Sequence, residues 1–178
     1  IFANPDFRKS QIKNQTVNSQ QELALLHSGV RNLNFDPLPG AQLEASALSK
    51  LARVSNLEVK SYLGIAAAEE SLMRIRSPKI LHLATHGFFL PLNSKLLDSR
   101  GLILKNKEIN PMNRGGILLA GAETNYESYS EGKNISRSSD GILTAEEASQ
   151  LDLRGTWLTV LSACDTGSGV ARAGEGVL

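Results

Sequence analysis

The segment Pro78-Lys79-Ile80-Leu81-His82-Leu83-Ala84-Thr85-His86-Gly87 decides the reading of the fold. Its apolar run, residues 80–84, is bounded by Pro78 and Gly87 and suits a strand with both faces buried in a sheet. Upstream, residues 57–62 alternate as a strand should, and Gly64 ends them. Residues 66–76 are dense in strong helix formers, with Pro78 closing that helix. Before these, Pro37-Leu38-Pro39-Gly40 stops the chain. Leu43, Ala47, Leu48 and Leu51 then follow helical spacing, with Glu44 and Lys50 on the other side. A short extended segment over residues 1–3 and a polar loop over residues 8–21 open the chain.

Downstream, residues 101–104 and 116–119 read as a hairpin divided by a polar region that contains Asn110-Pro111. Residues 123–140 are poor in apolar side chains and read as a long loop, the best candidate for a mobile segment. Thr144-Ala145-Glu146-Glu147 matches a capping box and starts a helix to about residue 151. Residues 157–162 are then a buried strand. Strands alternating with helices imply one α/β domain over residues 1–178, with a mainly parallel sheet, helices on both faces and right-handed crossovers.

Composition narrows the function. The 178 residues carry 19 Lys and Arg against 18 Asp and Glu, with 5% aromatic residues. Neither a charge excess that tracks phosphates nor a base-stacking platform is present, which argues against nucleic-acid binding. The apolar runs fall short of the ~18–20 residues that cross a bilayer, and the N-terminus lacks a signal-peptide pattern. A single cysteine cannot form an internal disulfide, so the chain reads as cytoplasmic. It begins with Ile1 and closes on Gly174-Glu175-Gly176-Val177-Leu178, and both ends read as cuts in a longer protein.

Sites in an open parallel sheet form at the carboxyl ends of strands. Two reactive side chains fall there: His86 just past the strand ending at Ala84, and Cys164 just past the strand ending near Ser162. If those strands are neighbours, imidazole and sulfur project from one edge. A thiol attacks as the thiolate, and an adjacent histidine can take its proton. Gly87 has no side chain to keep its backbone N–H from a substrate carbonyl, so it and the N–H of Cys164 form a candidate oxyanion hole. Asp165 either favours a basic residue before the scissile bond or caps local N–H groups. His82 and His86 suggest a metal pair, but along a strand they stand roughly 13 Å apart, and no metal or cofactor motif is present. The glycines after Cys164 lack the spacing of a phosphate loop. An inert buried cysteine is the competing reading of Cys164.

Ala84-Thr85-His86-Gly87-Phe88, Leu143-Thr144-Ala145-Glu146-Glu147, Leu153-Arg154-Gly155, Val160-Leu161-Ser162-Ala163-Cys164-Asp165-Thr166-Gly167 and the terminal Gly174-Glu175-Gly176-Val177-Leu178 resemble the CHAT domain. Asn4-Pro5-Asp6-Phe7 and Pro37-Leu38-Pro39-Gly40 with Glu44 resemble its earlier blocks. The family is a caspase-like branch of cysteine peptidases related to separase. The resemblance implies a caspase-like αβα sandwich, truncated on its C-terminal side, that hydrolyses peptide bonds of a protein substrate with His86 and Cys164 as catalytic dyad. It also implies a bacterial parent protein with an upstream tetratricopeptide-repeat or other sensor module. The alternatives are a non-catalytic interaction scaffold on the same fold and a redox-sensing thiol. A peptidase needs a gate, so residues 123–140 are expected to control the site or to be passive, with Lys133 and Arg137 as candidate processing positions.

Overall fold

Four short strands and a set of alanines organise the molecule. The computed structural model describes residues 1–9, 35–89, 110–130 and 139–163. In chain order they form β1 (Phe2–Pro5), α1 (Pro39–Val54), β2 (Tyr62–Gly64), α2 (Glu69–Met73), β3 (Ile80–Ala84), β4 (Gly87–Phe89), a 3₁₀ turn (Pro111–Asn113), β5 (Gly115–Leu118), α3 (Ala122–Ser130), β6 (Ile142–Thr144), α4 (Ala145–Ala148) and β7 (Leu158–Ser162). Strands β2, β1, β3 and β7 lie in that order in one parallel sheet. Strands β4, β5 and β6 make a smaller antiparallel sheet. This is the expected α/β architecture with a parallel sheet, compatible with a caspase-like fold.

Alternation along the strands assigns the two faces, because partners in register point the same way. Phe2, Leu81 and Leu83 face a core shared with Ala67, Leu72, Ile117, Leu119 and Leu143, so α2 and the small sheet cover that side. Ala3 and Ala84 face the other way and meet Ala41 and Ala45 of α1. Such small residues let the helix come close to the sheet. For this reason α1 presents a different face from the expected one: Leu43 is 72% and Leu51 63% exposed. Glu44, expected on the outer side, is half-buried and turned toward β3 and β7.

Other boundaries differ as well. The strand expected over residues 57–62 is confined to Tyr62–Gly64, because β1 offers only Phe2, Ala3 and Pro5 as partners. The helix expected over residues 66–76 shrinks to Glu69–Met73. Ala66 and Ala67 are in turns that bond back to Leu63 and Gly64, and Ser77 donates its N–H to the carbonyl of Asp152. The capping box at Thr144 forms as expected, but its helix ends at Ala148 and turns carry the chain to Leu151.

Residues 122–130 are helical, not the start of a long loop. Ala122 and Tyr126, one turn apart, pack onto Phe7, Phe88, Leu118 and Ile142. Glu123 pairs with Arg8 at 2.9 Å, and the Thr124 hydroxyl donates to the Arg8 carbonyl. Residues 131–138, with Lys133 and Arg137, lie outside the described residues, as do residues 101–104 of the expected hairpin. The other half of that hairpin is β5, which pairs with β4 and β6. The strand expected to be buried over residues 157–162 is exposed: Trp157, just before β7, is 75% and Leu161 57% exposed. Among the described residues β7 pairs with β3 alone, and none of its side chains joins the clusters that cover the two faces of β3. No described helix is long and apolar enough to cross a membrane.

Candidate active site

The parallel pairing of β3 with β7 runs in register from Ile80 with Leu158 to Ala84 with Ser162. One more hydrogen bond extends it, from the Thr85 N–H to the Ser162 carbonyl at 3.2 Å. The two strands that precede His86 and Cys164 are therefore immediate neighbours, and they end level with each other. Thr85 is buried, and its hydroxyl donates to the carbonyl of Leu118. The Leu118 N–H in turn donates to the carbonyl of His86 at 2.9 Å. Thr85 thus joins the end of β7 to the end of β5, and the His86 backbone is held between them.

The His86 side chain is 6% exposed and fixed on two sides. Its ring lies against Phe7, with centroids 5.3 Å apart. Its Nε2 is 2.9 Å from the carbonyl oxygen of Asp36. A carbonyl can only accept, so Nε2 carries the hydrogen, and in the neutral ring Nδ1 holds the free lone pair. The imidazole is thereby set in one tautomer, ready to accept a proton at Nδ1. Formation of the imidazolium leaves the Nε2–H bond to Asp36 in place, where a charged donor makes it stronger.

Four residues around this histidine were not singled out for a role by the sequence. Asp36 acts through its backbone, which any residue type supplies; the one local signal is Pro37, which holds the residue before it in extended conformations. Phe7 and Asn4 come from the Asn4-Pro5-Asp6-Phe7 block, and Asn4 Oδ1 accepts the N–H of Leu38 at 2.8 Å. Glu44 reaches the parallel sheet from α1. Its Oε2 accepts from the Ser162 hydroxyl at 3.1 Å, and its Oε1 lies 3.0 Å from His82 Nε2, an ion-pair distance without the alignment of a hydrogen bond. A single carboxylate therefore touches both β3 and β7, near the ends where His86 and Cys164 follow.

The two histidines of β3 and its carboxyl end face different surroundings: His82 points at α1 and Glu44, His86 at Asp36 and Phe7. Gly87 follows His86 as the first residue of β4, opposite Ile117. Cys164 and Asp165 lie outside the described residues, which on this strand end at Ala163. What the described residues assemble is a buried, oriented imidazole at the carboxyl edge of a parallel sheet, beside the strand end that leads to the chain's single thiol. An imidazole held in this way can accept and return a proton at Nδ1.

No curated protein and no solved structure matches the chain. The family model of the CHAT domain does match, over residues 1–178, so the parallel sheet with its strand-end histidine belongs to a CHAT domain, a member of a family of caspase-like peptidases.

Proposed function

We propose that this domain is a cysteine endopeptidase in which His86 and Cys164 form the catalytic dyad. His86 Nδ1 takes the proton of the Cys164 thiol, and the thiolate attacks the carbonyl carbon of the scissile bond. The carbonyl electrons move to oxygen, where the N–H groups of Gly87 and Cys164 hold the oxyanion. As the carbon–nitrogen bond breaks, the imidazolium returns its proton to the leaving amine. Water then attacks the thioester with His86 again as base, which releases the carboxylic product and restores the thiol.

The in-register pairing of Ala84 with Ser162 is the observation that carries this proposal. His86 and Cys164 each follow one member of that pair by two residues, and two residues of chain span at most ~7 Å. The Asp36 carbonyl supports it further, because it leaves Nδ1 as the basic nitrogen. The substrate is a protein segment, with Asp165 favouring a basic residue before the cut. No cofactor is needed for this chemistry. The domain works in the bacterial cytoplasm as part of a longer protein, held inactive until an upstream tetratricopeptide-repeat or other sensor module binds its partner. An unrestrained peptidase in the same compartment would cut indiscriminately.

Capture of the nucleophile tests the proposal. The intact protein, in its activated state, is treated with short peptides that end in an acyloxymethyl ketone, with Arg, Lys or Leu as the last residue. The expected product is a single adduct on the peptide containing Cys164, formed at least ~10-fold faster than with the same reactive group lacking a peptide. The Arg and Lys forms are expected to react faster than the Leu form, and Asp165→Ala to remove that difference. A rate indifferent to the attached peptide contradicts the peptidase reading and leaves a scaffold or a redox-sensing thiol.

A further inference from the structure

Among the described residues, three other than glycine adopt a positive φ: Asn4, Asn56 and Ser77. Asn56 sits in a turn and Ser77 at a bend beside the isolated bridge of Arg76 with Asp152. Asn4 does neither. Its φ of 44° falls inside β1, and the pairing with β2 shifts register between Ala3 and Pro5. Asparagine is one of the few L-residues that enters the left-handed region singly, and here it does so at a break in the register of a paired strand. Here the conformation sends the Asn4 side chain to the N–H of Leu38, which it accepts at 2.8 Å.

Leu38 is one residue removed from Asp36, and that residue is Pro37. The proline ring fixes its own φ and confines Asp36 to extended conformations. Between the Leu38 N–H and the Asp36 carbonyl the chain has little freedom. Fixing the first therefore directs the second, and the second accepts the Nε2–H of His86 at 2.9 Å. Phe7, three residues past Asn4, packs against both Phe35 and the His86 ring, so the same N-terminal segment also bounds the imidazole laterally.

We infer that Asn4 is a positioning residue for His86: through Leu38 and the rigid Pro37 it aims the Asp36 carbonyl that selects the Nε2–H tautomer. The inference rests on His86 acting as the general base. It extends that role to a side chain at the far end of the chain, which touches neither substrate nor the reacting atoms.

The test compares wild type, Asn4→Gly and Asn4→Asp in the intact protein with 15N-labelled histidine. Glycine tolerates the positive φ, so Asn4→Gly relieves the backbone cost and removes only the acceptor, whereas Asn4→Asp keeps an acceptor oxygen. The readouts are the His86 imidazole 15N shifts, which report the tautomer, and inactivation by the peptide ketone, which separates kinact from KI. In wild type the neutral ring is expected as the Nε2–H form. Asn4→Gly is expected to mix in the Nδ1–H form and lower kinact on the order of 10-fold with KI within about twofold, and Asn4→Asp to restore both. If Asn4→Gly keeps the wild-type tautomer and kinact, Asn4 is a loop staple and the inference is overturned. If the wild-type ring is already the Nδ1–H form, the failure belongs to the reading of His86 itself, and the inference falls with it.

Discussion

His86→Ala and Cys164→Ala are each expected to lower peptide hydrolysis by ~10³-fold or more. Cys164→Ala removes the sulfur that carries the acyl group, so no thioester can form. His86→Ala leaves the thiol without the base that generates its thiolate and without the acid that protonates the leaving amine. The two substitutions differ in their structural cost. His86 is buried, bonded to Asp36 and packed on Phe7, so its truncation leaves a cavity and loses that hydrogen bond, at about 1–3 kcal/mol. His86→Gln separates chemistry from folding, because its Nε2 amide reaches where the imidazole Nε2 stood and can still donate to the Asp36 carbonyl, but cannot act as a base near neutral pH. It is expected to be as inactive as His86→Ala while melting closer to wild type. Hydrolysis retained above a tenth of wild type in Cys164→Ala or His86→Gln contradicts the dyad.

How much of this site the sequence discloses depends on what kind of interaction made it. Strand β3 is legible because four of its five residues are buried, and an apolar run bounded by proline and glycine says as much. Strand β7 has the same apolar character in Leu158, Val160 and Leu161, with Trp157 just before it, yet most of it is exposed. Hydropathy records what a side chain prefers, not whether another layer of the fold covers it. The inward face of α1 is misread for a related reason. Leucines dominate an amphipathic pattern, whereas the helix is seated by Ala41 and Ala45 against Ala3 and Ala84, where closeness matters more than bulk. Helix α3 is held by two anchors and two contacts to Arg8, too sparse a pattern for periodicity to detect. His86 stands out in the sequence because its residue type and strand-end position are chemical statements. The Asp36 carbonyl does not, since every residue has one.

A second large effect is expected in the pH dependence of stability. Glu69, at the start of α2, is 1% exposed, and its Oε2 accepts the N–H of Gly141 at 3.2 Å. Burial, and then the nearby Asp140 and Glu147, push its carboxyl up to about 10 from an ordinary value of 4.5. Glu70 adds a smaller push in the same direction. The folded chain therefore holds a proton on Glu69 that the unfolded chain releases above 4.5. Its contribution is fully present below that pH and is lost as pH rises toward the folded value, by up to ~1.4 kcal/mol per pH unit. Gly141 leads into β6, which pairs with the β5 strand that holds the His86 backbone, so loosening here bears on the site. Glu69→Gln keeps an acceptor for Gly141 and has no proton to lose. Urea midpoints measured from roughly pH 5 to pH 9 are expected to fall steadily in wild type and to stay nearly level in Glu69→Gln, which becomes the more stable protein at the alkaline end. Parallel profiles contradict this assignment of the proton.

The central claim, that His86 acts on Cys164, is tested most directly by the thiol itself. Cys164 is the only cysteine in the chain, and its rate of alkylation by iodoacetamide as a function of pH reports its thiolate fraction without any substrate. The measurement is made on wild type and His86→Ala, following the Cys164 peptide by mass spectrometry. With an imidazole beside it, the wild-type thiol is expected to titrate clearly below the ~8.5 of a free cysteine and to return to about that value in His86→Ala. Identical profiles in the two proteins, both centred at or above ~8.5, would contradict the dyad.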